Sequence, residues 1–127
     1  MPIRSRPLRC EAIAVTCIDY RLQNSIHDWL TTRVGIHNFD RVALAGGVFD
    51  LAAVTKQVEL ADRLHAIRRV ILVNHEDCGA YGQAGTPERH AADLRAAAQK
   101  LGEAFPHLKF EAYYLHLTGI FETVPLG

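Results

Sequence analysis

A chain of 127 residues with 49% apolar content is one domain's worth of sequence, and it can bury a core without disulfide staples. Fourteen Lys and Arg balance fourteen Asp and Glu, so no charge excess points to nucleic acid or an anionic membrane as partner. No apolar run is long enough to span a bilayer. Arg4, Arg6 and Arg9 are not followed by the apolar stretch of a secretory signal, so a cytoplasmic protein is expected. Three cysteines, an odd number without the spacing of a secreted disulfide framework, fit a reducing compartment.

The pattern alternates strand and helix through a single expected domain, residues 1–127, with no linker and no repeat. Ala12 to Thr16 is a short apolar run that predicts a buried strand. Leu22, Ile26, Trp29, Leu30 and Val34 then recur at helical spacing, and Gly35 is a stop. Arg41 to Ala45 predicts a second strand, ended by Gly46-Gly47. Asp50 can cap a helix with Leu51, Val54, Val58, Ala61, Leu64 and Ile67 on one face. Val70 to Val73 is a β-branched third strand. Thr86-Pro87-Glu88 starts a helix, with proline at its first position, that runs through Leu94, Ala98 and Leu101 and ends before Pro106. Phe110 to Leu117 alternates and predicts a fourth strand at an edge. The whole predicts an α/β fold: a mainly parallel four-stranded sheet flanked by helices.

This order has a chemical consequence. Cys17, Gly46-Gly47 and His75 all fall just after strand ends, which lie along one edge of a parallel sheet, where ligands bind. Residues distant in sequence therefore converge. Cys17, His75 and Cys78 supply two thiols and an imidazole, a soft set suited to zinc, and leave a fourth position open as in catalytic zinc sites. A redox pair is the weaker reading, because no Cys-x-x-Cys is present. Cys10 is the spare, an ordinary small residue near the first strand.

Asp19 and Arg21 flank the first ligand. Arg21 can hold the Asp19 carboxylate in a two-pronged pair, leaving it to accept a hydrogen bond from water; released, Asp19 could take the fourth metal position. Gly46-Gly47 allow close backbone approach, and no phosphate-cradling motif follows them. His27, His65 and His90 lie in predicted helices as surface or packing residues. His37, His107 and His116 carry no signal that singles one out as a proton carrier. Glu76 and Asp77 read as solvated or as partners of His75.

Cys-x-Asp-x-Arg followed by His-x-x-Cys-Gly resembles the β-class carbonic anhydrases, as do Ala45-Gly46-Gly47 and Leu117-Thr118-Gly119. The resemblance implies Zn2+ on Cys17, His75 and Cys78, with Asp19 and Arg21 as the catalytic pair. It further implies reversible hydration of carbon dioxide to bicarbonate by zinc-bound hydroxide. The alternatives are a zinc hydrolase acting on CS2- or COS-like substrates and a non-enzymatic zinc-binding relative. It also implies a homodimer or larger homo-oligomer, with Trp29, Phe49, Phe121 and Val124 as apolar candidates for the contact. Ala43 and Leu44 stand where the family usually has Arg-Asn, the stretch from Gly79 to Pro87 is short where many members have a longer cap, and little of the family's N-terminal arm is expected.

Overall fold

The structure, a computed structural model, describes residues 8–127; Arg4 and Arg6 lie outside them. The elements follow as β1 (Ala12–Thr16), α1 (Gln23–Arg33), β2 (Phe39–Ala43), α2 (Leu51–His65), β3 (Arg69–His75), α3 (Pro87–Ala104), β4 (Lys109–Leu115) and β5 (Phe121–Thr123). One sheet of five strands has the order β2-β1-β3-β4-β5, parallel except for antiparallel β5.

The period-2 alternation of the central strands sorts their side chains between two cores. Ala12 and Ala14 of β1, with Ile71 and Val73 of β3, pack against Leu22, Ile26 and Leu30 on the α1 side. Ile13, Val15, Val70 and Leu72 face the other way, against Val54 and Val58 of α2 and Leu94 and Leu101 of α3. Buried on both faces, these strands carry near-continuous apolar runs, as parallel strands between helices do. Each fully buried Leu or Ile stabilises the fold by roughly 1.5–3 kcal/mol. The helix starts are those the sequence signals: Asp50 accepts from the Ala53 N–H at 3.2 Å, and Thr86 accepts from the Arg89 N–H at 3.1 Å.

The strand order fixes where ligands can gather. From β1 the chain moves to β2 on one side, then returns past β1 to β3 on the other. The crevice between the carboxyl ends of β1 and β3 is therefore the topological switch point. Cys17 follows β1, and His75 is the last residue of β3.

Three expectations are corrected. The sheet has five strands, not four, and β4 is interior, between β3 and β5. β2 begins at Phe39 and ends at Ala43, two residues earlier than Arg41–Ala45. All four apolar residues named for a subunit contact also pack inside the chain, Phe49 edge-on against Tyr81 with ring centroids 4.8 Å apart. Trp29 stacks on Phe121 with ring centroids 4.2 Å apart, and Val124 is buried in the α2–α3 core. Phe49 alone among them is exposed, at 53%.

Candidate metal centre

The Cys17 loop leaves β1 and is braced from α1. Gln23 Nε2 donates to the carbonyl oxygens of Cys17 and Asp19 at 3.1 and 2.6 Å, and Arg41 in turn donates to Gln23 Oε1. The second loop leaves β3 through a left-handed residue, Asp77, at φ 57°. Cys17, His75 and Cys78 are all buried, and one ligand atom from each lies within 4.8 Å of the others. The two sulfurs are 3.9 Å apart. That is far beyond a disulfide bond and close to the ~3.8 Å that two Zn–S bonds of about 2.3 Å subtend in a tetrahedron.

His75 decides the fit. Its Nδ1 faces the Glu76 carbonyl oxygen at 2.6 Å and must donate to it. The lone pair is therefore on Nε2, which is buried and has no hydrogen-bond partner. An unpartnered acceptor in an imidazole 2% exposed costs stability unless something positive meets it. The two neighbouring thiols are shifted in opposite directions. Burial pushes the Cys17 thiol up, but His75 and the N–H groups of Gly46 and Asp19 outweigh it and bring it down to about 7. Burial pushes the His75 imidazole down, yet Cys17 and the Glu76 carbonyl raise it above its ordinary value. Cys78 is raised, chiefly by burial and then by its proximity to Cys17. Two sulfurs and one unpartnered nitrogen lie within reach of a common point, and the donor set suits zinc.

Arg21 arranges the polar side of the site. Its Nε donates to Asp19 Oδ1 at 3.0 Å and its Nη2 to Oδ2 at 2.7 Å. The backbone N–H of Arg21 adds a third bond to Oδ1 at 2.9 Å. These bonds hold the Asp19 carboxyl down at about 2. Asp19 Oδ2 stands 3.8 Å from His75 Nε2, so the carboxylate borders the ligand group. The same guanidinium crosses to the second loop, donating to Asp77 Oδ2 at 3.1 Å and to the Asp77 carbonyl at 3.0 Å.

Beside Cys17 a cavity of about 290 Å³ opens, lined by Ile18, Asp19, Tyr20, Ala45 and Ala80 among others. Its wall is mostly apolar, with Asp19 its only charged residue. A larger cavity, about 540 Å³, lies between α3 and the C-terminal segment near Arg95 and Phe110, away from the ligand group.

All five residues singled out from the sequence therefore meet, while Cys10 sits at the opposite edge of the sheet. Three contributors were not foreseen. Asp77 is solvated, as expected, and is also a partner of Arg21. Gln23 braces the loop carbonyls. Asn74 accepts the Val48 N–H at 3.2 Å and donates to Tyr81 Oη at 3.2 Å and His90 Nδ1 at 2.9 Å, fixing the turn whose Gly46 N–H reaches Cys17 Sγ at 3.3 Å. The one signal for Asn74 was a polar residue in an apolar strand, immediately before a proposed ligand.

The sequence model of the family described as "Putative carbonic anhydrase" matches residues 9–125. An uncharacterised protein of Rickettsia conorii is 30% identical, the match covering 88% of this chain and 70% of that protein. The fold is similar to that of carbonic anhydrase from Glaciozyma antarctica, with TM-score 0.61 at 18% identity, covering 94% of this chain and 84% of the other. It is also similar to β-carbonic anhydrase isoform I from Trichomonas vaginalis, with TM-score 0.63 at 16% identity, covering 98% and 86%. With the family match running from Arg9 to Pro125, through both candidate ligand loops and all five strands, the chain belongs to the family described as "Putative carbonic anhydrase", and its fold is that of the β-class enzymes.

Proposed function

We propose that this protein catalyses the reversible hydration of carbon dioxide to bicarbonate, with zinc held by Cys17, His75 and Cys78. The observation that carries the reading is the buried, unpartnered Nε2 of His75 among two thiols, beside a carboxylate gripped by arginine. Zinc supplies a Lewis acid that makes water a nucleophile near neutral pH. Asp19, whose Oδ2 borders the ligand group, would accept a hydrogen bond from such a water and so orient it. A carboxyl held at about 2 does not keep a proton at neutral pH, so Asp19 orients and the proton leaves to buffer. Arg21 grips both carboxylate oxygens of Asp19 and would keep it from taking a metal position itself. The apolar wall of Ile18, Tyr20, Ala45 and Ala80 suits a small uncharged linear substrate.

We further propose a single domain over residues 1–127, a cytoplasmic setting and a homodimer. No helix among the described residues is long and apolar enough to cross a membrane. The reading is tested by stopped-flow hydration of carbon dioxide on protein of measured zinc content. Cys78→Ser is expected to lose both the zinc at this site and the activity. Activity unchanged in that variant would sink the assignment.

A further inference from the structure

The end of the sheet opposite this site holds a second convergence of ligand-bearing side chains. Cys10, Asp40 and His65 are half-buried, and one ligand atom from each lies within 4.8 Å of the others. Each comes from a different part of the chain: Cys10 just before β1, Asp40 as the second residue of β2, and His65 as the last of α2. Their backbones are fixed by the fold itself. The Cys10 N–H donates to the His65 carbonyl at 3.1 Å, and the Glu11 N–H donates to the Asn38 carbonyl at 3.0 Å. The β1–β2 register sets Asp40 opposite Ile13.

We propose that Cys10, Asp40 and His65 form a second divalent-cation site, structural in role, that takes zinc or a similar borderline ion such as cobalt(II). A thiolate, a carboxylate and a neutral imidazole together balance a dication. The sulfur selects against magnesium and calcium, which take oxygen ligands. His65 Nδ1 and Asp40 Oδ2 are 2.6 Å apart and share a hydrogen bond. Tetrahedral bonds of about 2.0–2.1 Å require roughly 3.3 Å between such atoms, so the ion replaces the shared proton and the side chains part by less than ~1 Å. Both side chains are about a third exposed, at 31% and 30%, which leaves them free to do so. A cavity of about 250 Å³ beside Cys10, lined also by Arg9, Glu11, Asn38 and Arg68, has space for a fourth ligand such as water. The bound ion ties the start of β1 to β2 and to the end of α2.

This site shares no residue with the one at Cys17, His75 and Cys78, and the test separates them. The full chain is freed of metal with chelator and titrated with cobalt(II) by equilibrium dialysis, with folding followed by circular dichroism. Unmodified protein is expected to bind two equivalents. Cys10→Ser and Asp40→Asn, the latter retaining a hydrogen-bonding partner for His65, are each expected to bind one. The Cys17→Ser/Cys78→Ser double variant is expected to keep one equivalent with thiolate-to-cobalt absorption, now from Cys10. Equal binding by Cys10→Ser, Asp40→Asn and unmodified protein would overturn the proposal, as would absence of that absorption from the double variant. Failure of the Cys17–His75–Cys78 assignment reads differently: the double variant would then bind as much as unmodified protein.

Discussion

Arg21 closes on Asp19 with two side-chain N–H groups, one to each carboxylate oxygen, at 3.0 and 2.7 Å. Because the same guanidinium also donates to Asp77, it links the loop after β1 to the loop after β3. The residues it joins are the neighbours of Cys17 on one side and of His75 and Cys78 on the other. Arg21 thus orients Asp19 and holds the two ligand loops together.

The pair leaves a signature in acid. The Arg21 bonds depress the Asp19 carboxyl from 3.8 to about 2, outweighing the opposing effect of burial. A depressed carboxyl contributes stability above its unfolded value and loses it as pH falls through the folded one. Metal-free protein should therefore lose stability as pH drops from about 4 towards about 2, and Asp19→Asn should show a shallower loss over that window. Denaturant titrations at a series of acidic pH values check this; identical slopes would remove the ion pair from the account.

Metal binding should depend on pH for a related reason. Each ligand must shed its proton before it can bind. With Cys17 at about 7 and Cys78 raised by burial, zinc affinity should fall as pH drops from 8 to 6. Competition with a chelator of known pH behaviour measures this. An affinity that does not change over this range would argue against thiolate ligands.

Gly47 tests the turn that supports Cys17. A Cβ there would stand 2.5 Å from Asn74 Oδ1 and 2.9 Å from the Val73 carbonyl, at a φ of 61°. Gly47→Ala should destabilise the protein by about 1–3 kcal/mol and weaken zinc binding. Gly79→Ala is the control, since a Cβ at Gly79 meets nothing within 4 Å. Thermal melts that give both variants the same midpoint would contradict the fit seen here.

The homodimer would cover the mouth of the small cavity, where Tyr20 is 88% and Ile18 57% exposed. Burying such side chains between copies stabilises association. Light scattering should give a dimer mass at micromolar concentration, and Tyr20→Asp should shift it towards monomer. A monomer mass for the unmodified protein would rule the contact out.

Much of this was legible in the sequence because periodicity and strand ends carry it. Buried strands read as apolar runs, capped helices read as Asp50 and Thr86-Pro87, and the ligands fall where parallel strands finish. β5 was not legible, because three residues carry no period. It pairs only because the chain reverses at Gly119, with φ 93°. β4 read as an edge because Glu111 breaks its apolar run. In the fold that acid is paired, accepting from Arg69 at 2.9 Å and from the Tyr113 hydroxyl at 2.7 Å. Asp77 looked like any loop acid; its positive φ, which turns it to Arg21, is a property of the folded turn.

The account rests most directly on the hydration rate of unmodified protein and Arg21→Ala, each measured by stopped flow at the same zinc content. The unmodified protein should hydrate carbon dioxide well above the buffer rate. Arg21→Ala should retain its zinc and lose on the order of 100-fold in rate, because Asp19 is no longer held in position. Equal rates in the two proteins, or no rate above buffer in fully zinc-loaded unmodified protein, would contradict it.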